Sequence, residues 1–278
     1  MTDRRKQDPV RPVLTTKYGS LYNCDCMELM AKMKDESIDC IFADPPFNLG
    51  KDYHNGSSDN LSREEYLHWS YLWIDECVRL LAKGGSLFVY SLPKWAYLLA
   101  SHVDSELTFR HWIAISMKST FRRGRRLYPA HYAILYFTKG QPKVFNRLRV
   151  PIPKCRKCNR EIRDYGGHRQ YLNSRGLNLS DFWDDTSPVR HRKLKFRSSC
   201  ELKVMIPERC IRISTRKNDV IFDPFGGGGS TYEAAENSGR HWIGSELGDC
   251  QPIIRRMETY SRQKKAILPS RVREIFVM

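Results

Sequence analysis

Short apolar runs alternate along the chain with stretches in which apolar residues recur every three or four positions. The clearest run, Ile38-Asp39-Cys40-Ile41-Phe42-Ala43, halts at Asp44-Pro45-Pro46. A compact apolar run of this kind reads as a strand buried in a parallel sheet. Two prolines, which lack N–H donors and fix φ, stop it there. Leu21-Tyr22-Asn23 reads as the end of an earlier strand, and Leu29, Met30 and Met33 mark a short helix over 27–33. From Ser62 to Leu81, Tyr66, Trp69, Leu72, Trp73, Cys77, Leu80 and Leu81 keep helical spacing, with Ser62 and Glu65 placed as a capping box. Lys83-Gly84-Gly85 is expected to end that helix before a strand over Ser86–Tyr90. A helix near 94–101 and strands near 112–116 and 133–137 follow.

Regular patterning resumes with a helix near 203–214, a strand at Val220-Ile221-Phe222 and a helix from Ser230 to about Ser238. A strand over His241–Ser245 and a last helix over about 250–263 close the series. Strands alternating with helices imply an α/β fold with a doubly wound, mostly parallel sheet. Such sheets bind ligands at the carboxyl ends of their strands. The loops that begin at Asp44 and at Asp223 both fall there, so one rim carries two candidate sites.

Two stretches depart from this pattern. Residues 1–17 are polar and basic, with Pro9 and Pro12, and read as a loose arm. Residues 140–199 are rich in Arg, Lys, Asn, Gly and Pro with weak periodicity, and read as an inserted lobe between the halves 18–139 and 200–278. A chain of 278 residues, 41% hydrophobic, suits one large domain with such a lobe. No apolar run is long enough to span a membrane, and no apolar segment follows the charged first residues, so a cytoplasmic protein without a secretory signal is expected. Nine scattered cysteines suit a reducing compartment.

The net charge of +16 changes the picture by favouring a polyanionic partner, since basic groups on phosphate release counterions. Arg122, Arg123, Arg125 and Arg126 surround Gly124, and a second run goes from Arg190 through Arg192 and Lys193 to Arg197. Phe121, Tyr128 and Phe196 stand among them. Basic blocks with aromatics nearby suit a phosphate backbone; a solvated charged face is the alternative.

The two rim loops carry the chemistry. VIFDPFGGGGSTYEAA is a strand, a glycine-rich turn and a helix start, with Ser230 or Thr231 as the expected cap. Glu246, about twenty residues beyond, can accept hydrogen bonds from both hydroxyls of a ribose. A phosphate-binding P-loop would need Lys where Ser230 stands, so a nucleoside cofactor is favoured, its identity open. At the other loop, the Asp44 carboxylate and the Pro45 carbonyl can each accept one N–H of a base's exocyclic amine, holding its lone pair toward an electrophile. The prolines stiffen the turn, and Phe47 offers a face for a flipped base. Cys155-x-x-Cys158 has zinc-knuckle spacing, but a complete site needs two more ligands, with His168 the candidate third. Zinc is therefore a candidate metal and ordinary reduced thiols the alternative.

With ADPPFN at 43–48 ahead of FDPFGGGGST at 222–231, the chain resembles the β-class S-adenosylmethionine-dependent DNA amino-methyltransferases. The resemblance implies a circularly permuted, Rossmann-like methyltransferase sheet with a target-recognition lobe at 140–199, and S-adenosylmethionine as cofactor. It places Asp25, in NCDCMELM, on the cofactor side, and Lys203, in CELKVMIPERCIRIS, at the methionine carboxylate. Asp223, Phe225, Gly226, Gly228, Ser230 and Thr231 would line the cofactor pocket, and Glu246 would hold the ribose. Asp44, Pro45, Pro46 and Phe47 would bind the target amine and base. Phe47 stands where tyrosine is usual, which keeps stacking and drops the phenol. Asp rather than Ser at position 44 suggests adenine N6 as acceptor, with cytosine N4 the alternative. A non-catalytic nucleic-acid-binding protein on the same fold is the other alternative. A second copy of the chain and a cognate restriction endonuclease are candidate partners.

Overall fold

The computed structural model describes residues 11–51, 59–117, 125, 127, 129–152, 154, 158, 160, 166–171, 173–186 and 201–263. Among these, the first strands are β1 (Leu14–Thr15), β2 (Gly19–Tyr22), β3 (Ile38–Ala43) and β4 (Leu81–Ser91). They are followed by β5 (Thr108–Ser116), β6 (His131–Thr138), β7 (Arg149–Val150) and β8 (Leu177–Asn178). The last are β9 (Phe182–Trp183), β10 (Val220–Asp223) and β11 (His241–Ser245). All but β7 and β8 form one sheet of order β1-β2-β11-β10-β3-β4-β6-β5-β9, and β7 and β8 make a separate two-stranded ladder. From β2 to β4 the neighbours run parallel; β6 is antiparallel to both β4 and β5. This is the mixed, mostly parallel architecture expected from the alternating pattern.

Among the described residues, six α-helices cover the sheet. α1 (Cys26–Met30), α2 (Arg63–Leu80) and α3 (Pro93–Val103) pack on one face. α4 (Met205–Ser214), α5 (Ser230–Ser238) and α6 (Gln251–Gln263) pack on the other. Strand residues alternate between the two cores: Ile41 and Ala43 of β3 point to the first, Cys40 and Phe42 to the second. Burial on both faces is why these strands are apolar throughout. Ser62 caps α2 and Glu65 closes the capping box, as the sequence pattern expects.

The end of α2 differs from expectation. The helix stops at Leu80, and β4 begins at Leu81 and runs through Lys83-Gly84-Gly85. The pairing jumps from Ile38↔Leu81 to Cys40↔Ser86, so the two glycines form a bulged corner. Their backbone pairs with the exit of β6, through Gly84 N to Lys139 O at 2.8 Å and Lys139 N to Gly85 O at 3.0 Å. A tertiary partner takes up these glycines in place of a helix cap.

Parts of 140–186 are built into the main body. Trp183 of β9 is buried and pairs beside Ile115 of β5, and Arg209 of α4 forms an ion pair with Asp185. Asn146 donates its side-chain amide to Arg212 O and Thr215 O, closing the carboxyl end of α4. Of the basic arm, residues 1–10 lie outside the described residues, and Leu14–Thr15 edges the sheet as β1. Among the described residues no helix is long and apolar enough to cross a membrane.

Gly244 of β11 lies against the Tyr232 ring: a Cβ there would sit 2.1 Å from the hydroxyl oxygen and 2.2 Å from Cζ. Tyr232 is fully buried and stacked on Trp242, so it has nowhere to retreat. Gly244→Ala is expected to destabilise the fold by at least about 1–3 kcal/mol, the usual range for overpacking. Chemical denaturation would show this as a lower midpoint.

Candidate active site at the carboxyl rim

The site follows from one strand pairing. β10 and β3 are parallel neighbours, with Ile221 beside Cys40 and Phe222 beside Ile41. The chain leaves β10 through α5 toward β11 and leaves β3 through α2 toward β4, on opposite sides of the pair. Their carboxyl ends therefore flank a topological switch point, the usual position of a ligand crevice. Asp223 ends β10 level with Phe42, and Asp44 follows two residues later on its neighbour.

The Asp44 loop is held through its carbonyls. Tyr66 of α2 donates its hydroxyl to Pro46 O at 2.9 Å, and Trp95 of α3 donates Nε1 to Phe47 O at 2.8 Å. Pro45 is buried while Asp44 is half-buried. The Phe47 ring stands 5.9 Å from Tyr90 and 6.0 Å from Tyr132, which stack on each other at 5.1 Å. An acidic side chain next to an aromatic group is thus fixed on a braced turn.

The glycine-rich turn is organised by two carboxylates. Asp223, 2% exposed, accepts from Phe225 N at 2.9 Å and also bonds the Thr231 side chain. Glu246 spans two turns, accepting from Gly227 N at 2.7 Å on one oxygen and from Gly248 N at 2.8 Å on the other. Gly227 and Gly229 have positive φ, a conformation that favours glycine. The first residue of α5 is preceded by Gly229, which forms no side-chain cap. Ser230 and Thr231 thus do not cap the helix as expected, because the Thr231 hydroxyl is committed to Asp223.

The remaining sequence candidates have different surroundings. Phe225 turns inward, edge-on to Trp73 at 5.2 Å and 5.8 Å from Trp69. Asp25 caps α1 by accepting from Met27 N at 2.7 Å, just past the carboxyl end of β2. Lys203 is partly exposed ahead of α4, within electrostatic reach of Asp185. Arg125 is exposed on the connection that leaves β5 at the same rim. Arg122, Arg123, Arg126, Arg190, Arg192, Lys193 and Cys155 lie outside the described residues, as does the side chain of His168. Cys158 is exposed, and among the described residues no group of His, Cys, Asp or Glu could hold a metal ion.

Several contributors are invisible to local pattern. Tyr66, Trp69 and Trp73 read only as the apolar face of α2, yet with Trp95 and Phe225 they form an aromatic bridge from one loop to the other. Arg256 sits in a polar helix but is 4% exposed; it donates to Gly228 O and forms ion pairs with Glu233 and Glu201. Burial pushes the Cys24 thiol up to about 11 and that of Cys250 up to about 12, so both stay protonated and weakly nucleophilic at neutral pH.

Burial, opposed by hydrogen bonds from Thr231 and Phe225 and reinforced by the Glu246 charge, raises the Asp223 carboxyl to about 7. In the unfolded chain the same group ionises near pH 4. The folded state therefore holds this proton more tightly, and the group's stabilising contribution, full below pH 4, is lost as pH rises through 7. Asp223→Asn removes that dependence. The stability of wild type relative to the variant should fall by up to about 1.4 kcal/mol per pH unit between pH 4 and 7, then level off. Urea denaturation across that range measures it.

The chain resembles known proteins in sequence and in fold. The chain is 46% identical over 277 residues to the type II methyltransferase M.BamHI of Bacillus amyloliquefaciens, an alignment covering 96% of this chain and 66% of that relative. It is 29% identical to the type II methyltransferase M.HpaI of Haemophilus parainfluenzae over 80% of this chain and 68% of that one. The fold matches the PvuII DNA methyltransferase (cytosine-N4-specific) at a TM-score of 0.65 and 19% identity, covering 91% of this chain and 94% of the other. It also matches M1.HpyAVI, solved as a SAM complex, at a TM-score of 0.57 and 19% identity over 89% of this chain and all of that one. Residues 38–251, which contain both rim loops, match the family described as DNA methylase, and the chain belongs to this N6/N4 DNA methylase family.

Proposed function

We propose that the chain transfers a methyl group from S-adenosylmethionine to an exocyclic amino nitrogen of a base in double-stranded DNA. The carrying observation is the parallel pairing of β3 and β10, which sets Asp44 beside the glycine-rich turn. The residues at the turn fit the cofactor. Gly226, Gly228 and Gly229 let the turn pack closely on Tyr232, Glu201 and Ile253, and each Glu246 oxygen, already bonded to one amide, has a further lone pair for a ribose hydroxyl. S-adenosylmethionine supplies an electrophilic methyl group on a positively charged sulfur. Gly226, Gly228 and Phe225 are assigned to its pocket, with Asp223 and Thr231 shaping the turn beneath them. Asp25 and Lys203 are assigned to the cofactor's outer contacts.

The acceptor side follows from the chemistry of a conjugated amine, whose lone pair is delocalised into the ring. Asp44 accepts one N–H and the Pro45 carbonyl the other, which favours the lone pair pointing out of the base plane. Once the nitrogen carries the methyl group, its surplus proton passes to water. Cysteine takes no part, in keeping with the raised thiol pKa values nearby. Phe47, flanked by Tyr90 and Tyr132, receives the base, which must leave the duplex because its amine is otherwise paired inside it. Arg125, with Arg122, Arg123, Arg126, Arg190, Arg192 and Lys193, is assigned to the DNA backbone; the described strand ends that flank the first group in the chain, Ser116 of β5 and His131 of β6, pair at the carboxyl rim. The chain's relatives named as type II methyltransferases favour a modification role beside a cognate endonuclease. Asp44 favours adenine N6. Cytosine N4 presents the same two N–H groups and is the competing acceptor, supported by the fold match to a cytosine-N4 enzyme.

Asp44→Ala is expected to lower methyl transfer to DNA by at least about 100-fold, the scale of a lost preorganised polar group, while cofactor affinity by calorimetry stays near wild type. Retained activity would remove Asp44 from the mechanism. Mass spectrometry of nucleosides from methylated DNA separates N6-methyladenine from N4-methylcytosine.

A further inference from the structure

Immediately after Phe47 the chain enters an unusual conformation. Asn48 has φ +53, a left-handed value that costs energy for a residue other than glycine. Three groups of contacts hold it there. Asp59 accepts from Asn48 N at 2.8 Å through one oxygen, and from Leu49 N at 3.1 Å and Lys51 N at 3.0 Å through the other. The Asp59 backbone carbonyl accepts from Gly50 N at 2.7 Å. The Asn48 side chain exchanges two hydrogen bonds with the Leu61 backbone, both 2.8 Å. Asp59 is 6% exposed, and the buried charge is compensated by these loop amides. A carboxylate suits such a clasp, because it offers acceptors on both oxygens and no donor to repel converging N–H groups.

The strained residue is directly linked to the groups that bind the target. Phe47 O, the bond before Asn48 N, accepts from Trp95 Nε1, and Pro46 O accepts from Tyr66. A turn braced on both sides of Phe47 leaves the Asp44 carboxylate and the Pro45 carbonyl little room to diverge. We infer that Asp59 is a positioning residue for methyl transfer: its carboxylate clasps the Asn48–Lys51 backbone and so fixes the amine-binding groups Asp44 and Pro45. The inference rests on the methyl-transfer reading of the site.

Asp59→Asn keeps the shape but replaces one acceptor with a donor facing the loop amides. Its expected effect is a single-turnover methyl-transfer rate about 100-fold lower, the cost of a small misplacement of reacting groups, with cofactor affinity and melting temperature near wild type. Asn48→Gly tolerates the left-handed φ but loses both Leu61 bonds, and should lose about tenfold, between wild type and Asp59→Asn, for the same reason. A second readout is independent of catalysis. Hydrogen exchange of the Trp95 indole N–H, followed by NMR, should accelerate in Asp59→Asn because Phe47 O no longer holds its place. Unchanged indole exchange, or a transfer rate within twofold of wild type, would overturn the assignment. So would a rate that falls only in step with melting temperature, which marks a merely structural role. If the indole exchange responds but wild-type protein leaves DNA unmethylated, the clasp stands and the methyl-transfer reading fails.

Discussion

The pairing of Val220–Asp223 with Ile38–Ala43 is the constraint on which the site depends. About 175 residues separate these strands in the chain, yet each is bounded at its carboxyl end by a loop that breaks the ladder: Pro45 and Pro46 on one side, Pro224 and the glycine-rich turn on the other. Two adjacent strands that stop at the same level leave a crevice between their exits, and the opposite directions of their following connections keep it open. A shift of one residue in this register would exchange the faces of Cys40, Ile41 and Phe42 between two cores. That penalty is what locates Asp44 relative to the glycine turn.

A second layer of order comes from aromatic side chains rather than from strands. Tyr66 contacts Trp69 and Trp95, Trp69 contacts Trp73 and Phe225, and polar atoms of Tyr66 and Trp95 grip the Asp44 loop. These residues anchor α2 and α3 in the core and brace the rim through the same packing. The glycine-rich turn and the Asp44 loop are therefore mechanically continuous through α2 and α3.

Much of this is legible in the sequence. The bounds of β3 match the run from Ile38 to Ala43, and the capping box at Ser62 marks the start of α2, because local chemistry decides both. The two rim loops can be recognised because proline and glycine leave unambiguous marks. The corner at Gly84-Gly85 is misread by local pattern because a glycine pair signals a turn without naming its partner, and the partner here is Lys139. Thr231 reads as a helix cap for a related reason: hydroxyls satisfy whichever neighbour is nearest, and folding brings the Asp223 carboxylate. Arg256 and Asp59 escape local pattern altogether, since a charged residue in a polar stretch looks solvated until the fold closes over it.

The acidic residues near the rim show how one functional group is given different roles by its surroundings. Asp223 is buried with few donors, and burial outweighs them, so it retains a proton to about pH 7 and acts as an internal post for the turn. Asp59 is similarly hidden but receives three backbone amides, which suits it to hold a strained loop. Glu246 bridges two turns, accepting one backbone amide on each oxygen. Asp44 is left half-buried at the crevice mouth, with its neighbours' carbonyls already secured. In the proposed reaction Asp44 has to stay reachable from the crevice, while Asp223, Asp59 and Glu246 hold backbone amides of the two loops.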